Sequence, residues 1–462
     1  EGLGGRIVPY IPDRVSEGHG LNIAAVESLR QAGCRLIVTS DCGVSNVAEV
    51  AQAVSMGLDV IITDHHTVPP SLPPALAVVN PRRTDSRYPP SDLASVGVSY
   101  KVAQALYQAA GQPEREDLLD LVAVGTIADL SPLLQENRYL VTRGLAELNQ
   151  TQRPGLRALL AQSGVKPGAI DVQTVSYALA PRINAASRMG HASASYRLLV
   201  TPSADEARQI AAELDMRNDE RKRLTEEMAA RAEEQVAQRG LAPLLMVQGS
   251  EFPPGIVGLV ASRLVDEYGR PAVVVSAGDQ LSRGSCRSIP EFNIVAALTE
   301  CKDMFVQFGG HAQAAGFTIE SARLGTLRER LVEIAARQLA GVDLRPVLDV
   351  DAEAGPSALV GPPWMDIQRM APFGVGNPQP TFVARGARVA ACRPVGNGGK
   401  HLSMSLRHNG AIWSGIAFGL GDISVRSGDC VDVAYTLLLD TWNGETTLKL
   451  KVLDMAPAGP GR

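Results

Sequence analysis

Short β-branched runs and helix-spaced apolar positions alternate along the first part of the chain. Arg6 to Pro9, Leu36 to Thr39, Asp59 to Thr63 and Ala77 to Val79 predict strands. Between the second and third, Val44 to Met56 places apolar residues at 44, 47, 50, 51 and 54, which is helix spacing. Strand, helix, strand at this interval predicts a βαβ unit and a parallel sheet. Helices are expected to follow at Val98 to Ala110, Glu116 to Ile127 and Asn137 to Asn149. Ser203-Ala-Asp-Glu206 reads as a capping box, and no breaker interrupts the pattern until Gly240. That predicts one helix on the order of 50 Å long, at about 1.5 Å per residue. Its middle, Asp215 to Arg223, is polar on nearly every side, as befits a span bridging two domains.

A second α/β pattern comes next: strands at Leu244 to Val247 and Ala272 to Ser276, helices at Gly255 to Tyr268 and Phe292 to Cys301. The last part breaks into short alternating segments at Ala387 to Ala391, His401 to Leu406, Ile412 to Phe418, Cys430 to Leu439 and Thr446 to Val452. Gly and Asn punctuate them, so a small β-barrel or sandwich is expected. At 462 residues the chain is long enough for about three domains at roughly 150 residues each. The expected divisions are 1–200, a connecting helix 203–240, then 241–340 and 345–456.

Composition narrows the classes. With 45% apolar and 20% charged residues, the chain is neither disordered nor collagen-like nor a coiled coil. Its formal charge of −5 argues against a uniformly basic surface, so a nucleic-acid partner would need a local groove. The absence of any run of 18 apolar residues argues against a membrane span. Six cysteines without a C-x-x-C pair suggest neither a zinc ribbon nor a disulfide framework, and a reducing cytoplasm is expected. The opening Glu1-Gly2-Leu3-Gly4-Gly5 has no Met and no leader pattern, so residues upstream are expected.

The candidate chemistry gathers after the strands. Asp41 follows the strand ending at Ser40, and Asp64-His65-His66 follow the strand ending at Thr63. If these strands are parallel neighbours, both groups emerge at one carboxyl edge, within reach of one ion. A third acid, Asp129, ends the apolar stretch Leu121 to Ala128. Carboxylates with an imidazole suit Mn²⁺ or Mg²⁺, whereas zinc more often recruits thiolates. A lone Asp after a strand is commonly a cap, but an apolar strand has no packing reason to end in three ionisable groups. A metal or phosphate site is therefore expected there. His311, in Gly309-Gly310-His311-Ala-Gln-Ala-Ala-Gly316, lies among small residues that admit a ligand or form a tight packed turn. Ser282 to Ser288 offers hydroxyls and guanidinium groups suited to phosphate, as an exposed polar strand also would. Arg182 to Arg188, with Asn184, is suggestive in the same way. Cys42 has no partnered base in its flanks and reads as a small packing residue.

Taken in order, these stretches resemble the DHH phosphoesterase family, and within it the RecJ single-strand exonucleases. The resemblance rests on Tyr10-Ile-Pro-Asp-Arg14 through Gly18-His-Gly-Leu21, Ser40-Asp-Cys-Gly43, Thr63-Asp-His-His66, Val79-Asn-Pro81 and Ser95-Val-Gly-Val98. It continues through Val124 to Asp129, Arg182 to Arg188, Gly255 to Leu264, Gly284 to Ile289, Gly309 to Gly316 and Ala371 to Pro378. It implies a parallel-sheet DHH domain, a long helix, a smaller α/β DHH-associated domain and a C-terminal OB-like β-barrel. It further implies that Asp41 bridges a pair of Mn²⁺ or Mg²⁺ ions, that His65 and Asp129 complete one of them, and that Asp64 orients its neighbour. His66 would face the scissile phosphate. Arg14, Arg188 and Ser285 match positions that hold a 5′ phosphate, with Asn184 beside them. Arg287 and His311 belong to the domain that closes the cleft.

The implied activity is 5′-to-3′ hydrolysis of single-stranded DNA in repair and recombination, metal-assisted and without a covalent intermediate. Single-stranded DNA, single-strand-binding protein and a helicase are the implied partners of a cytoplasmic monomer. Trp413, Trp442 and Phe418 on the last strands would stack bases or fill the barrel core. The sequence departs from the family in having Phe252-Pro253 where relatives often carry Trp-His, Ser187 for a usual Gly, and no Asp-x-Asp motif, which would stand ahead of Glu1. Two alternatives remain: a phosphodiesterase of short oligonucleotides or cyclic dinucleotides, and a non-catalytic DNA-binding relative.

Overall fold

The structure is a computed structural model that describes residues 2–13, 17–18, 20–89, 92–166, 168–442 and 445–459. It comprises two compact units, Glu1–Pro346 and Val347–Arg462.

In the first unit, strands β1 (Leu36–Ser40), β2 (Asp59–Thr63) and β3 (Ala77–Val79) form a parallel sheet in the order β1-β2-β3. Register runs from Leu36↔Asp59 to Ser40↔Thr63, so β1 and β2 end level. The crossover helix Val47–Ser55 begins later than its apolar spacing suggested, and its Val50 and Ala53 are buried on Ile37, Val60 and Ile62. The run Arg6 to Pro9 is not a strand. Ile7 and Val8 stay exposed there, and β-branched content makes a strand only where a neighbour buries it. Helices Ser95–Ala109, Leu119–Ala128 and Gln135–Asn149 follow, the second preceded by a 3₁₀ turn at Glu116–Leu118.

The long helix spans Ala204–Arg239. Ser203 caps it by accepting the Glu206 N–H at 3.3 Å, but the Glu206 carboxylate accepts from Thr201 and Arg197 rather than closing a reciprocal box. Gly240 ends it at a positive φ of 80°, which suits glycine. Leu214 packs with Leu156, Leu159 and Leu198, whereas Met228, Ala232 and Val236 enter a second core with Val247, Val260 and Leu264. One helix thus serves two cores. Its polar middle is less solvated than its composition suggested: Asn218 and Thr225 are buried, and Asp215 accepts from Arg182 Nε at 2.8 Å. The partner is helix Ala180–Met189, whose own polar face supplies what a hydrophobic core could not.

Beyond that helix, β4 (Leu245–Gly249), β5 (Ala272–Ser276), β6 (Leu281–Arg287), β7 (Phe305–His311) and β8 (Ala314–Glu320) form a sheet ordered β4-β5-β6-β8-β7. Only β4 and β5 pair in parallel. Helix Val257–Tyr268 crosses between them, while Ile294–Glu300 and Leu324–Gln338 pack in the core of Cys286, Phe292, Phe317 and Leu327. The small-residue stretch around His311 is the β7–β8 hairpin, with Gly309 opposite Gly316.

The second unit is a closed barrel. After β9 (Ala352–Glu353) come β10 (Phe382–Val395), β11 (His401–His408), β12 (Ala411–Ala417), β13 (Cys430–Trp442) and β14 (Glu445–Pro457). The ring β11-β12-β14-β13-β10 is shut by pairing of β10 with β11, which removes the exposed edges of an open sheet. Leu402, Val433, Tyr435 and Leu450 fill it. No helix among the described residues is long and apolar enough to cross a membrane.

Candidate metal centre and phosphate cleft

Because β1 and β2 end in register, the residues that follow them share one edge of the sheet. Asp41 takes a left-handed conformation, φ 67°, an uncommon state for a residue with a Cβ. The turn is fastened around it: its N–H donates to Thr63 O at 3.0 Å, and Thr39 Oγ1 donates to Cys42 O at 2.7 Å. Strain held this firmly points to a functional constraint on the carboxylate. One oxygen of Asp41 lies 3.2 Å from Nε2 of His65.

Asp64 is buried and works inward. Its carboxylate accepts from the N–H of His65 at 2.8 Å, the N–H of His66 at 3.1 Å, the Val44 N–H at 3.0 Å and the His66 ring at 2.7 Å. Burial alone would raise its pKa, but the His66 ring and the Val44 and His66 N–H groups outweigh burial and bring it down to about 2. An ionised Asp64 accepts only, so Nδ1 of His66 carries the proton and Nε2 is left to face outward. The Asp64 bond raises the pKa of His66 against burial of the ring, with the charges of Asp64, Asp41 and Asp129 adding to it.

Asp41, His65 and His66 each present a ligand atom, all within 4.8 Å of one another. One carboxylate and two imidazoles are a donor set for a borderline or hard divalent ion, so the residues present fit a metal. Asp129 does not join this group; its exposed carboxylate accepts from Ser131 at 2.7 Å, and its charge reaches His66. Burial, reinforced by Asp64 and Asp41, pushes the Cys42 thiol up to about 11, so it is no nucleophile at neutral pH.

Asp41 and His66 form one wall of a cleft of about 970 Å³. Arg188, Gly258, Ser285, Arg287 and His311 line it as well. His311 comes from the end of β7 and lies parallel to the His66 ring, centroids 6.0 Å apart and planes 8° off. Arg287 donates to Ser285 Oγ at 3.3 Å, and Arg188 donates to Gly255 O at 3.3 Å. Asn184 is exposed one turn before Arg188 and does not line the cleft. Arg14 lies outside the described residues. The sequence expectations omit Gly258, Gln307 and Thr318, which also line the cleft; only the pairing of β6, β7 and β8 brings the last two there. Phe252 is fully buried in the core beneath helix Val257–Tyr268.

In the second unit, Trp413 packs against the barrel core, which favours packing over stacking for that ring. Phe418 is half-exposed, edge-on to His401 at 5.2 Å. The Trp442 side chain lies outside the described residues.

A parallel sheet with acid and imidazole groups at its carboxyl edge, an α/β lobe facing them across a cleft and a closed barrel together define a DHH-type architecture. Residues 3–126 match the DHH family N-terminal domain, 241–337 the DHHA1 domain and 350–454 the RecJ OB domain. The chain is 33% identical over 486 residues to the single-stranded-DNA-specific exonuclease RecJ of Dickeya dadantii, covering 98% of this chain and 83% of that one. It therefore belongs to the RecJ family. It is also 38% identical over 452 residues to RecJ of Bacillus subtilis, covering 97% of this chain and 57% of the relative. The crystal structure of RecJ from Thermus thermophilus in complex with Mn²⁺ matches with a TM-score of 0.83 at 32% identity, over 95% of this chain and 64% of that one. A Mg²⁺ complex of the Thermus protein matches with a TM-score of 0.74. The chain thus spans less than two thirds of the length of its Bacillus and Thermus relatives.

Proposed function

We propose that this chain forms the catalytic and strand-holding part of a single-stranded-DNA exonuclease that works from a 5′-phosphorylated end with Mn²⁺ or Mg²⁺. The observation that carries this reading is that Asp41 and His66, grouped with His65, share one cleft with Ser285, Arg287 and Arg188. Of that group Asp41 and His65 would hold the metal, joined by Asp129, which stands outside the group but whose charge already reaches His66, so that His66 is left to the phosphate. A bound divalent ion supplies an activated water near neutral pH and neutralises charge on the phosphate. Asp64 keeps the His66 ring protonated at Nδ1 and aimed outward, so Nε2 meets the scissile phosphate. His311, parallel to it, offers a second imidazole from the opposite wall. Arg188, Ser285 and Arg287 supply guanidinium and hydroxyl donors for the terminal phosphate, which would set the direction of digestion. Arg14 and Asn184 would extend that phosphate site.

The barrel would hold the strand. A cytoplasmic monomer dealing with single-strand-binding protein and a helicase during repair and recombination is the setting that family membership favours. The test is digestion of end-labelled single strands by protein expressed from its full coding sequence, with Mn²⁺ added. Release of nucleotides from the 5′ end, abolished by His65→Ala or Asp129→Ala, is expected. Unchanged digestion by either variant would remove the site from consideration.

A further inference from the structure

Each strand of the first sheet is followed by a polar residue: Asp41 after β1, Asp64 after β2 and Asn80 after β3. Register sets Ser40 level with Thr63 and Thr63 level with Val79, so Asn80 leaves the sheet beside Asp64 as Asp64 leaves it beside Asp41. Asn80 is 4% exposed and uses both ends of its side chain. Its Oδ1 accepts the Arg82 N–H at 2.8 Å, and its Nδ2 donates to the His66 carbonyl at 3.0 Å. A main-chain N–H needs an oxygen and a carbonyl needs a donor, so these two partners fix which way the amide faces.

The oxygen alone would serve the path of the chain. An Asn, Asp or Ser here can accept from the N–H two residues on and make the same turn, and Pro81 already restricts Asn80 to extended backbone. Only the amide nitrogen calls for asparagine, and it goes to His66. That residue is thereby held at three points: Asp64 accepts its N–H at 3.1 Å and its Nδ1 at 2.7 Å, and Asn80 holds its carbonyl. With the first two alone, the peptide after His66 could turn about its Cα and carry the ring with it. The third hold stops that turn and leaves Nε2 on the cleft wall without a partner among the described residues.

We propose that Asn80 is a positioning residue for His66. Its amide locks the His66 main chain from the neighbouring strand, as Asp64 locks the ring, so that Nε2 stays aimed at the phosphate while the reaction proceeds. Asn80 touches neither substrate nor metal, and its effect passes through His66 alone. The inference rests on the proposed reading of His66 as the imidazole that meets the scissile phosphate.

The experiment measures kcat and KM on a single strand with Mn²⁺ added, using protein from the full coding sequence as wild type, Asn80→Ser, His66→Ala and the double variant. Serine keeps an oxygen for the Arg82 N–H but is too short to reach the His66 carbonyl. Asn80→Ser is expected to lower kcat roughly tenfold, as loss of an orienting partner does, with KM within about twofold of wild type. His66→Ala should lose at least about a hundredfold in kcat. The double variant should fall no more than about twofold below His66→Ala, because nothing is left for Asn80 to aim. Losses that multiply in the double variant overturn the inference, since Asn80 would then act apart from His66. So does an unchanged kcat in Asn80→Ser, or a loss that only tracks melting temperature across the variants. If the serine variant does not fold, Asn80→Asp takes its place and is judged the same way, since it too keeps the turn oxygen and cannot donate. A His66→Ala enzyme as fast as wild type overturns the reading of the site itself, and this inference with it.

Discussion

At the scale of single residues, the site works by division of labour between two neighbouring acids. Asp41 is exposed and held in a left-handed turn, whereas Asp64 is buried and spends its lone pairs on four protein donors. Their substitutions should therefore fail in opposite ways. Asn tolerates the left-handed conformation, so Asp41→Asn should keep the parent's urea midpoint. It should lose at least about tenfold in Mn²⁺ affinity by calorimetry, as loss of a charged ligand requires. Asp64→Asn offers one good acceptor where a carboxylate offers two, stranding buried N–H groups. A stability loss of roughly 2–4 kcal/mol is expected from urea titration in EDTA. Equal behaviour of the two variants would show that the acids do not divide the work in this way.

At the scale of elements, the long helix depends on an ion pair in its polar stretch. Asp215 is mostly buried with Arg182; burial opposes its charge, but the Gln162 amide and Arg182 outweigh it and lower the pKa. A carboxyl lowered in the folded state contributes stability above the ordinary carboxylate range, and that contribution drains away as pH falls through the lowered value. Asp215→Asn should thus be less stable than the parent at pH 7 by on the order of 1–2 kcal/mol, with the gap narrowing below about pH 4. Urea midpoints at the two ends of that range measure it. The helix itself was readable from its cap and its Gly240 stop, and the metal edge from two parallel strands each followed by ionisable residues. The β7–β8 hairpin was not, because Gly309 to Gly316 lacks β-branched alternation and owes its strand state to pairing with β6 and to the contact of Phe305 with Phe317. The helix Leu324–Gln338 did carry a signal, Leu324, Leu327, Leu331 and Ile334 at helical spacing. Gly258 carried none, because a glycine early in a helix looks like a breaker until the side chains across from it are known.

At the scale of the whole molecule, the cleft and the barrel belong to units with separate cores. Among the described residues, the barrel core draws only on those after Pro346, and the cleft's walls come only from those before it. A chain of residues 1–346 should therefore fold, with a cooperative melt of its own. If the barrel holds the strand, that shortened chain should digest a 5′-phosphorylated trinucleotide as well as the longer one does, but lose its advantage on strands of about 20 nucleotides. Within the barrel the gain has a source that can be tested separately. Residues 385–455 hold eight Lys and Arg against six Asp and Glu in a chain of net charge −5, a balance too even for electrostatics alone to carry binding. If the barrel binds a strand, stacking must then contribute; half-exposed Phe418 is open to it, whereas Trp413 packs on the core. Phe418→Ala in the full chain should weaken binding to a strand of about 20 nucleotides by roughly 1–3 kcal/mol with little change in melting temperature. Trp413→Ala should do the reverse, destabilising the barrel and lowering its melting temperature first, at a cost below the roughly 3–5 kcal/mol of a fully buried aromatic because this ring is only partly buried. Fluorescence titrations and thermal melts of the two variants separate these outcomes, and Phe418→Ala binding as tightly as the parent would leave the barrel's outer face without a stacking role.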